Sequence, residues 1–184
     1  KRFSRSTFGP RPSGLWEAVT DPDIRAKYNF GAAVRSDWTP GSSFTMSHPN
    51  GSDPLGEGEN LEVEPPRKLV QSMRALWGPE VIAEGTSRVT WEIEPVGDSC
   101  RLTVTHDQLR EGANDQLFGG WPMILSGLKT WLETGELLAT PGSLMYLGDR
   151  PPEGSLQRSV ARVTGCVGPQ PPLARQASCG RSEP

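Results

Sequence analysis

From residue 57 to residue 107 the chain alternates apolar and polar side chains with a period of two. In 57–64, Leu61 and Val63 share a face. A further strand is expected over 68–77. In 88–95, Val89, Trp91 and Ile93 oppose Thr90, Glu92 and Glu94. After a turn at Gly97-Asp98, Cys100, Leu102, Val104 and His106 alternate with Arg101, Thr103, Thr105 and Asp107. Period two with one polar face marks an antiparallel sheet with one wet side. Upstream, 36–46 reads as a strand or hairpin arm around the turn Thr39-Pro40-Gly41-Ser42, and 48–56 as a loop rich in Gly, Pro, Asn and Asp. Residues 15–20 suit a short helix. Thr20-Asp21-Pro22 supplies an N-cap and a first-turn proline for a second helix over 22–28.

Beyond residue 107 the period changes. Leu117, Trp121, Ile124, Leu128 and Trp131 are spaced four, three, four and three apart, and Phe118, Leu125 and Leu132 widen the stripe. This predicts one long helix within about 114–136, with Pro122 in its first turn and Gly135 as its C-cap. A broad apolar stripe after several amphipathic strands is buried most simply when the sheet curls around the helix. The expected class is therefore α+β. A curved antiparallel sheet over 36–107 packs on the helix through Trp121, Leu125, Leu128 and Trp131.

Composition then sets the limits of this domain. Only 34% of the 184 residues are hydrophobic, while Gly and Pro number 21 and 18. Charge is uneven. Residues 1–14 carry four bases and no acid, residues 15–138 a net −9, and residues 139–184 a net +2. All six Trp lie within 16–131, and the last 46 residues hold one aromatic, Tyr146. Residues 15–138 are read as the folded domain and 139–184 as a disordered tail, too poor in large apolar groups to offset its ordering entropy. No apolar run is long enough to span a bilayer and no signal peptide is recognised, so a cytoplasmic protein is expected. The acidic balance argues against a nucleic-acid partner. Three Cys and two His cannot make a compact four-ligand metal site, and neither metal nor cofactor is expected.

The ordered set Leu15-Trp16-Glu17-Ala18-Val19-Thr20-Asp21-Pro22-Asp23, Tyr28-Asn29-Phe30-Gly31, Ser36-Asp37-Trp38-Thr39-Pro40-Gly41, Leu55-Gly56-Glu57-Gly58, Pro65-Pro66-Arg67-Lys68-Leu69, Val89-Thr90-Trp91-Glu92-Ile93, Leu102-Thr103-Val104-Thr105-His106 and Gly120-Trp121-Pro122 through Leu132-Glu133-Thr134-Gly135 resembles a known family. That family is related to the C-terminal domain of the activator of heat-shock protein 90 ATPase, within the START-like (SRPBCC) superfamily. The resemblance covers about 15–138 and lies in the joint order of the motifs. It implies a helix-grip fold, commonly with a cavity between sheet and long helix. Asn29 stands where the family usually has an aromatic and Met73 where Trp is common, which enlarges or softens such a cavity.

The N-terminus departs from the family. Its first strand is typically Tyr-Ile-Arg-Ala-Thr-Pro-Glu-Arg-Leu-Trp, whereas 3–14 reads Phe-Ser-Arg-Ser-Thr-Phe-Gly-Pro-Arg-Pro-Ser-Gly. One coding string for this stretch, read from its third base, yields Tyr-Ile-Arg-Ala-Thr-Pro-Glu-Arg. Residues 1–14 are therefore read as a frame-shifted first strand. With Pro10 and Pro12 lacking ladder donors, they are expected to be irregular.

Few residues carry obvious chemistry. His106 ends an inward strand face. As a general base it needs a polar cavity and an orienting carboxylate, and Asp107 points the other way. His48 lies in the loop, Cys100 reads as a small buried hydrophobe, and Cys166 and Cys179 lie in the tail. Glu57, Glu59, Glu62, Glu64, Glu92 and Glu94 form a solvated outer face. The expected pocket lining is Trp38, Phe44, Met73, Trp91, His106, Trp121, Leu125 and Leu128, holding a small hydrophobic or amphipathic ligand without catalysis. Two alternatives follow from the resemblance. One is a co-chaperone-type protein partner. The other is a cyclase- or aromatase-like enzyme using His106 and Arg74.

Overall fold

In the computed structural model, which describes residues 1–9, 12–48 and 53–140, the alternating segments form one antiparallel sheet of seven strands. They are β1 (Arg2–Phe8), β2 (Ala33–Ser36), β3 (Ser43–Ser47), β4 (Pro54–Glu64), β5 (Lys68–Ala75), β6 (Thr86–Val96) and β7 (Ser99–Asp107). The helices are α1 (Pro12–Thr20), α2 (Pro22–Tyr28), the four-residue α3 (Pro79–Ile82) and α4 (Trp121–Thr134). The spatial order is β1-β7-β6-β5-β4-β3-β2. Each strand from β2 to β7 pairs with the next in sequence, and β1 lies outside β7. This is the expected α+β helix-grip arrangement, a curved sheet closed on one long helix. Contacts divide the chain into Lys1–Asp149 and Arg150–Pro184. The second unit, and the expected tail beyond Thr140, lie outside the described residues.

The local rules hold at the helix ends. Asp21 caps α2 by accepting from the backbone N–H groups of Asp23 and Ile24, with Pro22 in the first turn. Gly135 ends α4 in the left-handed region (φ 71°), which glycine adopts without a Cβ clash, and its N–H reaches the Trp131 carbonyl. The core joins Leu15, Ala18 and Val19 of α1 and Tyr28 of α2 to Leu69, Val89, Trp91, Ile93, Leu102 and Val104 of the sheet. Trp121, Ile124, Leu125 and Leu128 of α4 complete it. The helices meet closely because Gly127 faces Tyr28, where a Cβ would lie 3.1 Å from the Tyr28 Cβ.

Three expectations are corrected and one element is added. Arg2–Phe8, expected to be irregular, is a strand: β1 pairs with β7 from Arg2↔His106 to Phe8↔Cys100. Pro10 and Pro12 fall after the strand, so no ladder donor is lost within it. Ser4, Ser6 and Phe8 face inward, Phe8 is 2% exposed, and Lys129 of α4 fastens the strand by donating to the Thr7 carbonyl at 2.8 Å. The hairpin expected around the 39–42 turn is present, with β2 ending at Ser36 and β3 beginning at Ser43. A short helix, α3, follows Gly78 where none was expected. Leu117 is not on the long helix. It lies in a 3₁₀ turn, Asp115–Leu117, and packs with Ala75 and Val81 in a second small cluster. Trp121, Leu125 and Leu128 are buried as expected, but Trp131 is only partly so, with the Lys27 ammonium over its ring at 3.8 Å.

Candidate functional site

The inner face of the sheet brings most of the expected lining together. Trp91 on β6 and Trp121 on α4 meet edge to face, ring centroids 5.3 Å apart. Leu125 and Leu128 are buried beside them, and Trp38 and Met73 pack partly buried against the same cluster. Phe44 on β3 is buried, but its close neighbour is Gly58, where a Cβ would come within 2.7 Å of the ring and 1.9 Å of the Ser72 carbonyl. It is not part of the Trp91–Trp121 cluster among the described residues.

His106 is fully buried and adjoins this aromatic group. The Trp121 indole N–H, which can only donate, reaches His106 Nδ1 at 3.2 Å. The imidazole proton therefore sits on Nε2, which donates to Ser87 Oγ at 2.8 Å. The Ser87 hydroxyl passes on to the Met73 carbonyl at 3.1 Å. Burial pushes the His106 pKa down to about 4, against the opposing pull of Asp107. The pair is a hydroxyl beside an imidazole, but in the tautomer that cannot take the hydroxyl's proton. The ring is a neutral bridge between α4 and the sheet. Asp107 points outward as expected, held as a carboxylate by Arg88 Nε at 2.8 Å and Nη2 at 3.0 Å.

Arg74, the other polar group considered for a pocket, is on the outer face, 3.5 Å from Glu57. It does not converge with His106. The outer glutamates are interleaved with bases: Glu62 with Lys68, Glu94 with Arg101 and Glu64 with Arg67. Cys100 is buried, and burial raises its thiol pKa. Among the described residues no three His, Cys, Asp or Glu side chains gather as a metal site, and no helix is long and apolar enough to cross a membrane.

Three polar features were missed in the sequence. Asn60 and Gln71 form a buried amide pair on the inner face (Nε2 to Oδ1, 2.8 Å), and Asn60 Nδ2 donates on to Ser36 and Ser42. Ser87 completes the His106 bridge. Arg25 on α2 is 6% exposed, with its guanidinium 4.5 Å over the Trp91 ring. The signal for Arg25 was its place three residues before Tyr28, on the same helical face. Asn29, expected to soften a cavity, closes the turn after α2 by donating to the Ala32 carbonyl at 3.2 Å. A cleft of about 830 Å³ opens elsewhere, between the start of β1 and the 109–115 loop, lined also by Phe118. None of the expected lining residues borders it.

The model of the family described as activator of Hsp90 ATPase homolog 1-like protein matches residues 11–133. The chain belongs to this family. The match begins beyond β1. No curated protein matches the chain. Among solved structures, a Mesorhizobium loti protein shares 22% identity, over 74% of this chain and 100% of that one, with a TM-score of 0.59. The crystal structure of CalU16 from Micromonospora echinospora shares 22% over 72% and 76%, with a TM-score of 0.57. An HSP90 activator from Plasmodium falciparum shares 20% over 72% and 96%, with a TM-score of 0.54. These likenesses show the START-like fold.

Proposed function

We propose that this family member is a non-catalytic binding module holding a small hydrophobic or amphipathic ligand between sheet and C-terminal helix. The observation that carries this is the sheet–helix interface itself. Trp91, Trp121, Trp38 and Met73 make an apolar, polarizable wall with a few buried polar groups set into it, the usual make-up of a small-molecule site. The non-catalytic part rests on His106, the one inward imidazole. Its accepting nitrogen is taken by an indole and its protonated nitrogen faces the nearest hydroxyl. Native mass spectrometry of the purified full chain, with thermal melts across a library of apolar compounds, tests the proposal. The expected result is a retained or added ligand that raises the melting temperature. A ligand-free protein unmoved by the whole library overturns it.

A second reading is a protein-interaction role of the co-chaperone kind. It is supported by membership of a family named for an ATPase activator and by likeness in fold to the Plasmodium falciparum protein. Its test is the rate of ATP hydrolysis by heat-shock protein 90 with and without the full chain. Stimulation supports a protein partner, and an unchanged rate removes it.

A further inference from the structure

Arg25 is a buried cation with no counter-ion. None of the ion pairs among the described residues includes it. Nη1 donates to the Val19 carbonyl at 2.9 Å, in the last turn of α1. The ring of Trp91 lies 4.5 Å from the guanidinium carbon and that of Tyr28 lies 5.9 Å away. The Tyr28 hydroxyl donates to the Ala18 carbonyl at 2.7 Å and offers its oxygen to the Arg25 guanidinium. Two buried donors then remain without a partner: Nε of Arg25 and Nε1 of Trp91. They belong to side chains stacked on each other at the centre of the sheet–helix interface.

Capping Val19 needs one donor, and a neutral amide suffices for that. A guanidinium brings five N–H groups and a permanent charge, the fork that matches a carboxylate. An interior that keeps a cation and orphans two adjacent donors is incomplete as an apolar core. A carboxylate brings two acceptor oxygens, one for each donor.

We infer that the ligand of this interior is an amphipathic acid, its carboxylate taken by Arg25 Nε and Trp91 Nε1 and its apolar body lying along Trp91 and Trp121. This rests on the ligand-binding reading above and names the ligand's class.

Calorimetric titration of the full chain with two matched pairs tests it: decanoate against decanol, and 2-naphthylacetate against 2-naphthylethanol. Within a pair that binds, the acid is expected to bind about tenfold or more tightly than the alcohol, as a charge-assisted contact gives. Arg25→Gln, which keeps an amide for Val19, is expected to erase that preference. Equal affinities for acid and alcohol in the unaltered chain overturn the acid assignment and leave the ligand-binding reading intact. So does a folded Arg25→Gln variant that keeps the preference for the acid. If no member of either pair binds, the acid assignment falls, while the ligand-binding reading stands or falls by the library melts above. The comparison within the unaltered chain decides the matter even if Arg25→Gln fails to fold.

Discussion

At the scale of single residues, His106 shows how a titratable group can serve the fold by refusing a proton. Its pKa is about 4 in the folded chain against an ordinary 6.5, because protonation would put a charge in the core and oppose the Trp121 donor. Above pH 6.5 both folded and unfolded chains are neutral at this site and its stabilisation is complete. As pH falls from 6.5 towards 4 the unfolded chain binds a proton that the folded chain rejects. Stability should therefore drop with pH, by up to about 3 kcal/mol across that window. Urea denaturation at pH 7.5, 6 and 5 should show this decline, and His106→Gln should flatten it. An unaltered slope in the variant would place the titrating group elsewhere. Leu128 offers the apolar counterpart. It is 0% exposed on α4, and Leu128→Ala should cost about 2–5 kcal/mol by chemical denaturation. A loss below about 1 kcal/mol would mean that the interior already contains room beside it.

At the scale of elements, what was legible in the sequence follows from how local each signal is. The 88–107 hairpin and the long helix were plain because alternation and the four-three spacing each repeat within a few residues. The second helix was plain because Asp21 and Pro22 act on their own turn. β1 was not legible. Its inward residues are Ser4, Ser6 and Phe8, so its sheet-facing stripe is mostly hydroxyls. What orders it is the backbone edge of β7, Lys129 and the burial of Phe8. The same limit hid Arg25, whose place three residues before Tyr28 puts it on the inward face of α2 but does not show what that face packs on. The aromatic wall was read from the strand and helix stripes, whereas the donors without partners depend on angles and distances that spacing does not encode. β1 also carries a prediction. Ser6 lies opposite Leu102 on the inner face, so Ser6→Val should add about 1 kcal/mol of stability through methyl burial and strand preference. A neutral or negative change in urea would show that the Ser6 hydroxyl is needed where it is.

At the scale of the whole molecule, acids and bases pair along the outer sheet, while Arg25 sits inside, buried and outside every ion pair among the described residues. The strand order has a consequence in time. From β2 to β7 every pairing is with the next strand, so the sheet can zip as a meander, but β1 pairs with β7, the last of the seven strands. On a ribosome Arg2 is made early and waits until His106 has emerged before it can find its partner. Until then β7 has an open edge and β1 a polar, basic stretch that is poor at sticking to anything else, which suits a segment that must wait in solution. Closure of β1 should thus follow the main barrier to folding. Phe8→Ala should speed unfolding and leave the refolding rate nearly unchanged in stopped-flow measurements. Slowed refolding would instead make this first-and-last pairing the step on which the rest of the sheet is built.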